Sequence, residues 1–302
     1  MPSKMIKPVM SAEEAVKHIV QGSSVMVGGF NYGGVPYTLV DALVDYGVKD
    51  IELIANDTLY EGVGHGKLVQ TEQVRKVIAS HVGLNKATQR LFNEGKLELE
   101  LVPQGTFVER IRAGGFGFGG FLTPTGLGTV HEEGKQVLEV EGKKYILELP
   151  LKSDVALIRG HRADRFGNMT YFGTNRNFNP LMATAAETVI AEVDSICEVG
   201  EIDPNDVVTP GILVDYLVLK GDLARTRIAR RIALDFEDGS VVNLGIGIPT
   251  LVSDFIPEGI QITFQTENGV VGAGPMPPEE DLRFIGAGGR CLSLLPGAAL
   301  IA

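Results

Sequence analysis

The sequence contains no tryptophan and only two cysteines, Cys197 and Cys291. That pair has neither the spacing of a zinc site nor the density of a disulfide scaffold, so free thiols in a reducing compartment are expected. The histidines His18, His65, His81, His131 and His161 include no pair at metal-ligand spacing, and each is expected to be structural or exposed. No apolar run is long enough to span a bilayer, and Glu13 and Glu14 interrupt the first apolar stretch. A cytoplasmic protein with no membrane partner is therefore expected. Positive charge is in deficit, with 27 Lys and Arg against 38 Asp and Glu and a formal charge of −11. A nucleic-acid backbone would be repelled overall. Also missing are a phosphate-loop Gly-Lys-Ser/Thr signature and a Ser-His-Asp pattern in a recognisable context. Gly28 and Gly33 are misplaced for the dinucleotide fingerprint, which argues against NAD.

What is present is a chain of 302 residues, 44% hydrophobic, with 38 glycines. That length suits one large domain or two ordinary ones. Ser11-Ala12-Glu13-Glu14 has the form of a capping box, and Ala12, Ala15, Val16 and Ile19 recur at helical spacing behind it. Short apolar runs predict strands at Ser24–Gly28, Ile51–Ala55, Lys76–Ser80, Leu97–Val102, Val155–Arg159, Val189–Val193 and Val214–Leu219. Pro36 sits where a helix can begin, with Leu39, Val40 and Leu43 as its buried face. The alternation of strands and helices predicts an α/β fold with a mainly parallel sheet.

An internal repeat divides the chain. Gly22 to Phe30, Pro36 and the strand Ile51 to Asp57 match Gly239 to Gly247, Pro249 and the strand Ile262 to Asn268. Each half reads strand, glycine turn, proline, helix, strand. In this alignment Glu267 falls opposite Asn56. Ile228, Ile232 and Phe236 recur every fourth residue, so 222–236 is predicted as an amphipathic helix opening the second domain. The expected domains are 1–220 and 221–302. The expected fold is two related open, mainly parallel sheets with helices on both faces. The second domain looks incomplete, because a chain that short buries only a modest core.

Several residues could carry chemistry. Glu267 follows an apolar run and precedes Asn268-Gly269, at a strand end where open α/β sheets place ligands. A strand-end Glu facing water is the alternative on spacing alone. Gly28-Gly29-Phe30 and the pair Gly245 and Gly247 follow strands, where backbone N–H groups can approach an anion. The alternative is a tight turn chosen for geometry. Gln104 follows a strand and could donate to a carbonyl or an oxyanion, or simply stabilise a turn. The run Gly114 to Phe121 reads either as a mobile loop over a bound acyl chain or as a close-packed loop.

Taken together, these segments resemble the family I coenzyme A transferases of the acetate, butyrate–acetoacetate and 3-oxoacid type. The first part is similar to their α subunit through Val27-Gly28-Gly29-Phe30, Ile54-Ala55-Asn56-Asp57-Thr58, Val77-Ile78-Ala79-Ser80-His81, Val102-Pro103-Gln104-Gly105-Thr106, Gly120 to Gly126 and Arg176 to Pro180. Arg227 to Ala302 resembles the start of their β subunit through Asn243-Leu244-Gly245-Ile246-Gly247-Ile248-Pro249 and Glu267-Asn268-Gly269. Thr266 stands where the family signature has Ser, and Gln21 where it tends to have Asp. The resemblance implies transfer of coenzyme A between short-chain carboxylic acids, with Glu267 as nucleophile and Gln104 as oxyanion or carbonyl donor. It implies a substrate site drawing on Gly28, Gly29, Phe30, Asn243, Gly245, Gly247, Asn268 and Gly269. No cofactor is expected to be held tightly; coenzyme A is a substrate, and no metal is expected. The remainder of a β subunit does not follow Ala302, so a homo- or hetero-oligomer is expected, including one with a chain that completes the β-type domain. A thioester hydrolase on the same scaffold, or a silent subunit that binds coenzyme A or a partner chain, are the rival readings.

Overall fold

A computed structural model describes residues 5–221, 223–245, 247–266, 268–275, 277, 284 and 291–300. The side chains of 223–227 are not described. The chain folds as two compact units, Met1–Lys220 and Gly221–Ala302.

The first unit opens with Ala12–Ala15 (α1), whose capping box is formed: the Ser11 hydroxyl accepts from the Glu14 N–H, and the Glu14 carboxylate accepts from the Ser11 N–H. Strands Ser24–Val27 (β1), Ile51–Ala55 (β2), Val74–Ala79 (β3) and Glu98–Leu101 (β4) follow. Helices Tyr37–Tyr46 (α2), Gly66–Gln70 (α3), Lys86–Asn93 (α4) and Gln104–Phe116 (α5) lie between and after them. Next comes an antiparallel excursion, Phe121–Thr123 (β5), Val137–Val140 (β6) and Lys143–Glu148 (β7), in the order β5-β7-β6. The chain returns through Ser153–Arg159 (β8), Arg162–Asp164 (β9), Asn179–Met182 (α6), Ala186–Val193 (β10), Ser195–Cys197 (β11) and Tyr216–Leu219 (β12). The main sheet has seven strands in the order β12-β10-β8-β1-β2-β3-β4, every pair parallel.

Alternation along each strand explains the layering. Val25, Val27, Leu53, Ala55, Val77 and Leu157 enter one core with residues of α1 to α4. Met26, Ile54, Ile78, Ala156 and Ile158 enter a second core with Phe107 and Ile111 of α5 and Met182 of α6. A period of two therefore supplies both faces, and the inner strands β1, β2 and β8 are covered on both sides. Leu39, Val40 and Leu43 are fully buried, and each such side chain contributes about 1.5–3 kcal/mol of transfer free energy. Val9 pairs in parallel with Leu217, so the segment that enters this unit lies against the strand that leaves it.

Two expectations change here. Gly114 to Phe116 form the last turn of α5, closed by Gly117 in the left-handed conformation at φ 75, and Phe121 opens β5. A Cβ on Gly114 would collide with the Leu151 carbonyl, and one on Gly115 with the Thr184 side chain. Close packing, not a loop covering a ligand, is what the glycines of that turn serve. The excursion β5 to β7 is absent from the strands that the apolar runs predict.

In the second unit, Leu223–Ala233 forms α7, followed by Val241–Leu244 (β13), Thr263–Thr266 (β14), Val270–Ala273 (β15) and Leu294–Leu300 (β16). The segment Ile248–Asp254 is a 3-10 helix where the repeat predicts an ordinary helix. The sheet order is β13-β14-β15-β16. Only β13 and β14 are parallel among the described strands; β15 and β16 pair antiparallel. The second sheet is thus mixed rather than mainly parallel, because the tight turn after β14 sends the chain straight back beside it. Ala229, Ala233, Leu244, Phe264 and Val270 form its core, with Phe236 edge-on to Phe264.

Candidate active site

The carboxyl ends of β2, β3 and β4 meet in one hydrogen-bonded group. Asn56 leaves β2, is buried, and its Oδ1 accepts from the Gln104 Nε2 at 2.8 Å and from the Ser80 hydroxyl at 2.9 Å. Its Nδ2 donates to Asp57 at 2.9 Å. The Asp57 carboxylate also accepts from the Asn31 N–H at 2.9 Å and the Leu59 N–H at 3.0 Å. A hydrogen bond of 2.7 Å joins His65 Nε2 to the Asp57 carbonyl. Burial holds the His65 pKa below its ordinary value, against an opposing pull from Asp57.

Gln104 is the first residue of α5 rather than part of a strand-end turn. One of its two amide N–H groups goes to Asn56, and an amide nitrogen carries a second. Its side chain is exposed and lines a cleft of about 500 Å³ with Gly105, Thr106, Glu109, Phe121 and Thr125. The start of this 13-residue helix favours negative charge there.

The glycine turn after β1 serves close packing first. A Cβ on Gly28 would strike the Asn179 side chain, which is fully buried. Asn179 Oδ1 accepts from the Arg159 N–H at 2.8 Å, and its Nδ2 donates to the Gly34 carbonyl at 3.0 Å. The Gly28 N–H donates to Leu157 and the Phe30 N–H to Gly33. These two residues can therefore shape a ligand's approach, but their N–H groups are already engaged. Gly29 adopts φ 128, a backbone that favours glycine.

A second buried group lies at the ends of β8 and β10. Glu192 accepts from the Thr38 and Leu39 N–H groups at the start of α2 and from Arg159, which also bonds Asp194. Burial pushes the Glu192 carboxyl up, and Arg159 together with the two N–H groups opposes that.

In the second unit, Asn243 lies exposed in β13, and Gly247 at φ 93 precedes the 3-10 segment. Gly245 follows β13. Glu267 lies outside the described residues, but the turn around it is described. The buried Thr266 hydroxyl donates to Asn268 Oδ1 at 2.6 Å and accepts from the Val270 N–H at 3.2 Å. The Gly269 N–H donates to the Thr266 carbonyl at 3.0 Å, with Gly269 at φ 88. The hydroxyl of Thr266 thus organises the turn.

Sequence reasoning gives Ser80 and Asp57 no role and expects His65 only to be structural or exposed. The juxtaposition Asn56-Asp57 at the end of an apolar strand was the available signal. Among the histidines, His65 is buried, His131 bonds Glu148 at 2.7 Å, and His161 bonds Asp194 at 3.0 Å on the surface. No described helix is long and apolar enough to cross a membrane.

Residues 9–220 and 225–301 match the family model described as Coenzyme A transferase. The chain is 39% identical over 331 residues to the human mitochondrial succinyl-CoA:3-ketoacid coenzyme A transferase 2, covering 96% of this chain and 64% of that relative. It is 50% identical over 211 residues to the acetate CoA-transferase subunit alpha of Escherichia coli, covering 70% of this chain and 96% of the relative. An acyl-CoA transferase of E. coli O157:H7, solved as a thioester complex with CoA, shares the fold with a TM-score of 0.66 at 22% identity. That match covers 89% of this chain and 63% of the solved one. The chain thus spans less than two thirds of the length of the human relative.

Proposed function

This chain belongs to the coenzyme A transferase family, and we propose from that premise that it moves coenzyme A between short-chain carboxylic acids, with Glu267 as the covalent nucleophile. Residues 1–220 act as the α-type domain and 221–302 as part of a β-type domain, working in an oligomer. The observation that carries this reading is the Thr266-Glu267-Asn268-Gly269 turn at the end of β14. The hydroxyl of Thr266, the amide of Asn268 and the N–H of Gly269, neighbours of Glu267 in sequence, are joined in hydrogen bonds.

The chemistry proceeds in balanced steps. The Glu267 carboxylate adds to the thioester carbonyl of an acyl-CoA, and the carbon–sulfur bond breaks to leave an acyl-glutamyl anhydride and CoA thiolate. The thiolate then attacks the glutamyl carbonyl, releasing the first acid and leaving a glutamyl-CoA thioester. A second carboxylate reverses both steps. A thiolate is a good leaving group and the nucleophile is already an anion, so no strong general acid is required. The site must stabilise an oxyanion and exclude water, because an anhydride hydrolyses readily. Gln104, oriented by Asn56, is the side-chain donor in this reading. Gly28, Gly29 and Phe30 shape the approach, and the backbone near Asn243, Gly245, Gly247 and Gly269 lines the coenzyme side.

Incubation with acetoacetyl-CoA, trapping with hydroxylamine or borohydride, and mass spectrometry test this. An adduct mapped to Glu267, absent from Glu267→Gln together with all exchange into acetate, is the expected result. Thioester loss that does not depend on added carboxylate would indicate hydrolysis. A folded protein with no adduct at saturating substrate would indicate a silent binding subunit.

A further inference from the structure

Helix α5 contains three glycines, and only two of them have a packing reason. A Cβ on Gly114 or Gly115 would collide with a neighbour, whereas one on Gly105 would meet nothing within 4 Å. Gly105 is exposed, and its backbone is not in the left-handed region. Glycine weakens a helix relative to alanine, so neither packing nor conformation accounts for it at the second position of α5. What a side chain there would enter is the cleft of about 500 Å³ that Gln104, Thr106, Phe121 and Thr125 also line. The N–H groups of this turn are unengaged. Pro103 has none to give, and the helical ladder begins with the Phe107 N–H donating to the Pro103 carbonyl at 2.8 Å. No acceptor among the described residues takes the N–H of Gln104, Gly105 or Thr106. Thr106 is 4% exposed, and its hydroxyl has no partner among the described residues. A buried hydroxyl in that state costs stability. A ligand oxygen would satisfy it, and threonine in a helix has two side-chain rotamers with which to meet one.

Resting on the transferase reading above, we propose that the first turn of α5 holds the carboxylate of the acid substrate, with the Gly105 and Thr106 N–H groups and the Thr106 hydroxyl as donors. Glycine at position 105 leaves the backbone bare, so that the carboxylate reaches the N–H groups directly. The aligned peptide dipoles at a helix start favour the anion. The acid on the same wall, Glu109, is bonded by Arg112 at 3.1 Å, which moderates its repulsion. Val108 and Phe121 supply the apolar part of the cleft. Gln104 keeps a separate task, since its amide serves the oxyanion of the reacting carbonyl. Every donor of the carboxylate site comes from the first unit.

The test titrates the full chain with acetate, against chloride at equal ionic strength, and follows isotope-labelled glycine and threonine amides by NMR. The signals missing from Gly105→Ala and Thr106→Val identify the two amides. Both are expected to shift and saturate below about 10 mM acetate, ten times the upper end of ordinary Michaelis constants, and to stay still in chloride. In Gly105→Ala, acetate affinity read from the Thr106 amide and kcat/KM for acetate should each fall at least about tenfold. The same variant should melt no lower than the wild type, because alanine favours a helix and its methyl group meets no neighbour. Thr106→Val should weaken acetate likewise without lowering the melting temperature, since the hydroxyl it removes bonds nothing in the free protein. Thr106→Ser should bind as the wild type does. Amides that ignore acetate, or a Gly105→Ala variant with unchanged acetate affinity, overturn the proposal. A wild type that binds acetate at these amides but exchanges no coenzyme A ends the transferase reading alone and leaves the site standing.

Discussion

The pair β1–β2 in the first unit and the pair β13–β14 in the second are built to one plan. Ser24 pairs with Glu52 and Val27 with Ala55; Val241 pairs with Thr263 and Leu244 with Thr266. When the two repeats are laid over each other, these registers are identical. Their surroundings differ. β1 lies inside a seven-stranded sheet between β8 and β2, while β13 is the edge of a four-stranded one. Register therefore belongs to the strand–turn–strand segment itself and survives a change of sheet. The two residues that leave each pair are also reversed in order. The first pair ends amide then acid, Asn56-Asp57, and the second acid then amide, Glu267-Asn268. In the first unit the acid is consumed by two loop N–H groups and the Asn56 amide, which makes it an anchor.

That contrast can be broken at three places. The largest effect is expected at the amide end. Gln104→Ala should lower kcat about 10²–10³-fold, as loss of one oxyanion donor does. Its urea midpoint should stay near that of the wild type, because the Gln104 side chain is exposed. An unaltered kcat would remove this end from the chemistry.

A middling effect should come from His65, which staples the Asp57 loop. Its folded pKa is depressed by burial, so the unfolded chain binds more protons below the free value of 6.5. Stability should therefore be fully present above that pH and fall as pH drops below it, by up to about 1.4 kcal/mol per pH unit. Urea midpoints at mildly acidic and neutral pH, compared with His65→Gln, measure it; the variant should lose this part of the slope.

The smallest effect belongs to the acid end. Thr266→Val deletes the hydroxyl that Asn268 and Val270 share and should cost about 1–2 kcal/mol. Thr266→Ser keeps the hydroxyl and should stay within about 0.5 kcal/mol of the wild type. Thermal melts of the full chain distinguish the two. Equal losses would mean that the methyl group, not the hydroxyl, holds this turn.

The frame of the first sheet was legible because its strands are short apolar runs between turn residues; Ile51–Ala55 was read to the residue. The capping box at Ser11 was legible because its partners are three residues apart. β6 and β7 were not, since Glu139, Glu141, Lys143 and Lys144 break the apolar pattern on an exposed ribbon. The Asn56–Asp57 anchor was also hidden. Its partners Asn31, Ser80 and Gln104 lie 26, 24 and 48 positions away, and only the folded sheet brings them together. The 3-10 segment after Gly247 escaped because its apolar spacing reads the same as that of an ordinary helix turn.

The pairing of Val9 with Leu217 turns the first unit into a nearly closed circuit. A body whose way in and way out are adjacent can be cut at a surface turn, rejoined at that seam, or spliced next to another body without stretching its interior. Such modules travel readily between genes, and the seven-stranded pairing goes with them intact.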